Sequence, residues 1–75
     1  MREKIRDILS SILGETFTYD GENMIEDGMI DSVEMMELVA ELEREYNIEI
    51  EPEDIIPENF KTIDTIVELV DKIKS

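Results

Sequence analysis

The chain predicts a small all-α protein, an antiparallel four-helix bundle of three main helices and one short one. Three observations carry this. Apolar residues recur at helical spacing in three separate stretches. Start and stop residues bracket each stretch. Alternation of the strand kind is confined to Asn47-Ile48-Glu49-Ile50-Glu51, which alone cannot build a sheet. At 75 residues the chain is read as one domain, 1–75, with a modest core, and 41% hydrophobic residues argue for a folded chain.

The first helix is expected over residues 2–13. Ile5, Ile8, Leu9 and Ile12 fall at i, i+3, i+4, i+7, and Gly14 follows in the usual C-terminal position. Residues 15–30 form a long connection broken by Gly21 and Gly28 and anchored by Phe17, Tyr19, Met24, Ile25 and Ile30. The second helix is expected from Ser32 to about Tyr46. Asp31 is its N-cap, and Glu34 completes a variant capping box. Leu38, Val39, Leu42 and Tyr46 make its inward stripe. Val33, Met36 and Ala40 form a second, smaller apolar line bordered by Glu37 and Glu41. Met35 falls between core and surface, its role open between core filler and a functional wall. Ile48 and Ile50 pin an extended connector. Pro52 and Pro57 each suit the first position of a short helical turn, with Ile55, Ile56 and Phe60 buried. Thr62 caps the last helix, 63–74, whose inward residues are Ile63, Ile66, Val67, Val70 and Ile73.

Charge excludes several functions. With 21 acidic and 7 basic residues the net charge is −14, which repels nucleic acid and anionic membranes and attracts basic partner surfaces. The charge is uneven. Between Glu34 and Glu58 lie ten acidic residues and one basic residue, Arg44. No apolar run approaches the ~18 residues of a membrane span, and residues 1–6 lack the apolar core of a signal peptide. The expected location is cytoplasmic. The absence of cysteine removes disulfides and thiolate metal sites.

Catalysis is equally hard to build. The chain has no His and no Cys, and two-carboxylate chemistry needs a cleft that separates their pKa values. No Gly-rich phosphate loop is present. Neither Asp20-Gly21-Glu22 nor residues 27–31 give the alternating ligands of an EF-hand loop, and no metal ligand is assigned. What remains is Ser32, a hydroxyl at the head of an acidic helix with nothing nearby to activate it. A serine presented but not activated is the pattern of a modification substrate. The plain alternative is helix-start grammar, in which Ser32 is a capping-region residue and the acidic helix a protein-interaction module.

The run Ile30-Asp31-Ser32-Val33-Glu34-Met35-Met36-Glu37-Leu38-Val39 resembles the modification motif of the acyl carrier protein family, a D-S followed by an aliphatic residue with E-L-V in the next turn. Residues 41–46 are similar to that family's acidic continuation ending in an aromatic. Ile48-Glu49-Ile50 matches its apolar connector, and Thr62-Ile63 opens the final helix at the family's spacing. The resemblance covers nearly the whole chain. One departure precedes the serine. Gly28 stands four residues upstream, where fatty-acid carriers have Gly three upstream, and this G-x-x-D-S pattern looks more like D-alanyl and other freestanding carriers.

The resemblance implies an acyl-carrier-protein-like fold and a carrier that is not an enzyme and is monomeric. It implies a 4′-phosphopantetheine arm on Ser32, placed by a phosphopantetheinyl transferase with Mg²⁺, with Asp31 helping to position the serine. The arm would hold an acyl or aminoacyl thioester; fatty acyl, polyketide and D-alanyl cargoes all remain open. Val33, Met36, Glu37, Ala40 and Glu41 would meet basic patches on activating and acyl-processing enzymes.

Overall fold

Each helix stops where local chemistry stops it. The computed structural model describes residues 1–14 and 21–74, so the expected anchors Phe17 and Tyr19 lie outside the described residues. Helix α1 spans Arg2–Leu13, α2 Ser32–Tyr46 and α3 Ile63–Lys74, each with the bounds its sequence pattern implies. Gly14 ends α1 at φ 75° and donates its N–H to the Ser10 carbonyl at 2.9 Å. Asn47 ends α2 at φ 54°, a left-handed conformation that Asn tolerates better than most residues. Thr62 starts α3 reciprocally: the Thr65 N–H donates to Thr62 Oγ1 and the Thr62 N–H to Thr65 Oγ1, each at 3.1 Å. Thr65 thus does the work that Glu or Gln does in the usual capping box.

The expected short helix is a pair of 3-10 turns, Pro52–Asp54 and Pro57–Asn59. The reason is the second proline. It holds Ile56 extended (φ −129°, ψ 152°) and carries no N–H, so the first turn cannot propagate. The same backbone corrects one core assignment. Ile56, expected to be buried, is 40% exposed, whereas Ile55 packs on the core. Side chains of successive residues in extended chain point to opposite sides, so only one of the two can face inward.

Helix α1 packs on both α2 and α3, and the Pro57–Asn59 turn packs on α3. Ile5, Leu9, Leu38, Leu42, Phe60 and Ile66 are among the fully buried side chains of the single apolar cluster they form. Met24, Ile30 and Ile50 join it from the connections. Leu69 is buried too, beyond the α3 stripe the spacing predicts. No polar or charged side chain among the described residues is buried. Lys4 lies 3.8 Å from Glu45, which sets the start of α1 beside the end of α2. Lys74 Nζ stands 5.4 Å from the centre of the Tyr46 ring, so α2 and α3 end together. Glu43 has a task that no sequence pattern shows: its Oε2 accepts the Ile50 N–H at 2.9 Å and ties the connector back to α2.

Among the buried side-chain polar atoms of the described residues, the Tyr46 hydroxyl is left unsatisfied by folding. Its oxygen is buried, with no hydrogen-bond partner among those residues. Burial, then the neighbouring Glu45 charge, pushes its pKa up. An unpaired buried hydroxyl costs about 1–3 kcal/mol. Replacement Tyr46→Phe therefore raises the urea midpoint at pH 7. The unfolded phenol ionises from about pH 10 while the folded one resists. Wild-type stability therefore falls above that pH, and the advantage of the Phe variant widens there. Urea titrations of both proteins at pH 7 and pH 10.5 measure this.

Candidate functional site

The chain enters α2 through a segment held at several points. Asn23 Oδ1 accepts the Ile25 and Glu26 N–H groups, each at 3.1 Å, and the Asn23 carbonyl accepts the Asp27 N–H at 3.0 Å. Gly28 closes this turn at φ 77°, a left-handed conformation that a side chain would strain. The Met24 N–H donates to the Lys61 carbonyl at 2.7 Å, and the Met24 carbonyl accepts the Met29 N–H at 2.9 Å. The turn is thereby fastened to the residues just before α3. Met24 itself is fully buried and Ile30 is 2% exposed.

These anchors deliver Asp31 as the N-cap of α2. The Glu34 N–H donates to Asp31 Oδ1 at 2.8 Å, and the Asp31 N–H donates to Glu34 Oε1 at 3.0 Å. The capping box expected from the sequence is thus complete. Ile30 and Met35 occupy the N′ and N4 positions of a hydrophobic staple, and Met35 packs against the core. Met35 thus has a packing role at the helix start. The signal for it was the spacing of five from Ile30, which an i, i+3, i+4 reading passes over.

Ser32 is the first residue inside this cap. It is exposed, and no side-chain hydrogen bond holds its hydroxyl among the described residues. It lines one end of a shallow open groove with Val33, Met36, Glu37 and Ala40. Val33 is 66% and Met36 51% exposed, a large apolar surface for so small a molecule. The groove brings together five of the seven singled-out residues, and Asp31 immediately precedes them as the N-cap. Glu41 stands on the flank, one turn below Glu37, and is paired with Arg44. The bond and charge of Glu41 hold the Arg44 guanidinium above its usual pKa. Glu37 has no ion-pair partner among the described residues. No helix among the described residues is long and apolar enough to cross a membrane.

The cap determines how firmly Ser32 is held. Asp31→Ala removes the side chain that accepts from Glu34, at a cost of about 1 kcal/mol. For a domain of this size that lowers Tm by about 4–8 °C. Glu34→Gln keeps an acceptor for the Asp31 N–H and stays close to wild type. Thermal melts followed by circular dichroism distinguish the two.

Residues 3–72 match the family model of the phosphopantetheine attachment site. The matched span contains all three helices almost entirely, together with the capped turn and the groove. The chain therefore belongs to the phosphopantetheine attachment site family: it is a carrier domain of the acyl carrier protein family, and its cofactor is a covalently attached 4′-phosphopantetheine.

Proposed function

We propose that Ser32 bears the arm and that the protein carries acyl or aminoacyl groups as thioesters between enzymes, without itself catalysing their chemistry. The observation that carries this reading is an exposed hydroxyl, free of side-chain partners, on a rigidly capped helix start. Ser10, by comparison, spends its hydroxyl on the Arg6 carbonyl at 2.9 Å within α1.

In the loading step the Ser32 oxygen attacks the pyrophosphate phosphorus that bears the pantetheine unit of coenzyme A. A phosphodiester forms at Oγ, adenosine 3′,5′-bisphosphate leaves, and the serine proton passes to a base on the transferase. Once bound, the arm supplies the thiol that holds cargo. The contribution of this chain is positional. The Asp31–Glu34 cap fixes the first turn, and Asp31 orients the serine beside it. The N–H groups of Ser32 and Val33, which precede the first intrahelical bond, would offer donors to the phosphodiester at the helix start. Having no cysteine, the chain has no thiol of its own to compete for the thioester.

The groove supports the second half of the reading. Val33, Met36 and Ala40 offer apolar contact, and Glu37 with Glu41 offers charge to basic patches on the transferase and on acyl-processing enzymes. Charge steering raises the encounter rate, and a small apolar patch keeps the complex short-lived. A carrier that visits several enzymes in turn needs both.

Incubation of the apo protein with coenzyme A, Mg²⁺ and a broad-specificity phosphopantetheinyl transferase tests the proposal by intact mass. Wild type is expected to gain the mass of one arm and Ser32→Ala none. An unmodified wild type, or a modified Ser32→Ala, overturns the assignment.

A further inference from the structure

Arg44 stands where an acidic docking helix should not have a cation. It is the one basic residue between Glu34 and Glu58. Successive steps of four, three and four residues link Val33, Glu37, Ala40 and Arg44, so all four run down one face of α2. Arg44 thus lies one turn beyond Ala40, at the end of the groove away from Ser32. Its side chain is 76% exposed and is held by Glu41. Glu41 is thereby partly neutralised, whereas Glu37, two turns from Arg44 toward the serine end (about 10 Å), has no ion-pair partner among the described residues. The separation is comparable to the screening length of about 8 Å at physiological salt, so the two ends of the groove present different potentials.

We propose that Arg44 is a specificity-determining residue of the docking face, a fixed counter-charge that weakens the docking of basic partner surfaces reaching the third turn of α2, the phosphopantetheinyl transferase among them. The proposal rests on the docking role of the groove argued above. It assigns Glu41 a second task, holding Arg44 in place. A partner cation aimed at the third turn meets both an occupied carboxylate and a like charge, a repulsive element of the kind that discriminates between partners.

The test is the rate at which the broad-specificity transferase loads Ser32, measured over a range of carrier concentrations. Arg44→Gln is expected to lower KM by about twofold and Arg44→Glu by about two- to fivefold, the range of an exposed charge pair and its reversal, with kcat unchanged. The gain should vanish at 0.5 M NaCl. Arg2→Gln on α1, whose partner Asp64 lies on α3, makes the same change in net charge as Arg44→Gln away from α2 and should leave KM at the wild-type value. A KM for Arg44→Glu equal to that of wild type overturns the proposal. So does a gain in Arg2→Gln equal to that of Arg44→Gln, which would assign the effect to net charge alone. Failure of the wild-type protein to be loaded would instead overturn the carrier assignment of Ser32.

Discussion

The rotation of α2 about its own axis is the constraint on which the rest of the molecule depends. Leu38 and Leu42 are fully buried and Val39 nearly so, in one cluster with Ile5 and Leu9 of α1 and Ile66 and Val70 of α3. Burying a Leu side chain is worth about 1.5–3 kcal/mol. Turning α2 by a third of a revolution would lift these residues into water and press Glu37 or Glu41 toward the core. A chain of this size has only a few kcal/mol of stability to lose. The helix therefore has one permitted orientation. That orientation sends Ser32, Val33, Met36 and Ala40 outward together.

An interior whose fully buried side chains are all apolar has a second consequence. With no polar or charged side chain buried among the described residues, every carboxylate with a role must perform it at the surface. Those roles are of three kinds. Asp31 and Glu34 hold the start of α2. Glu43 ties down the connector. Glu37 and Glu41 face outward beside the groove and give it its charge. The acidity of the chain is thus divided between local scaffolding and an exposed charged surface, and α2 holds both within four turns.

The connections are as constrained as the helices. Pro57 stops one 3-10 turn and begins another. This brings Phe60 into the core, fully buried, and leaves Ile56 outside. The turn before α2 is fastened to Lys61, just before α3, by the Met24 N–H. The exposed serine therefore follows a segment braced against another part of the chain. Bracing of this kind costs little core volume, which suits a domain with little to spare.

The sequence by itself determined the local structure. Helical periodicity located the three helices, because Gly14, Asp31 and Thr62 are residues whose backbone or side-chain chemistry begins or ends a helix; the left-handed Asn47 that stops α2 was visible only in the fold. It also singled out Asp31 and Ser32, because a capped hydroxyl without an activating base is visible in the order of residues alone. Tertiary structure decided what depends on distant neighbours. It buried Leu69, turned Ile56 outward, satisfied Ile50 through Glu43 and left the Tyr46 hydroxyl without a partner among the described residues. It also set Arg44 at the foot of the groove beside Glu41. Periodicity records which residues share a face of one helix; only packing against the other helices determines which face meets water.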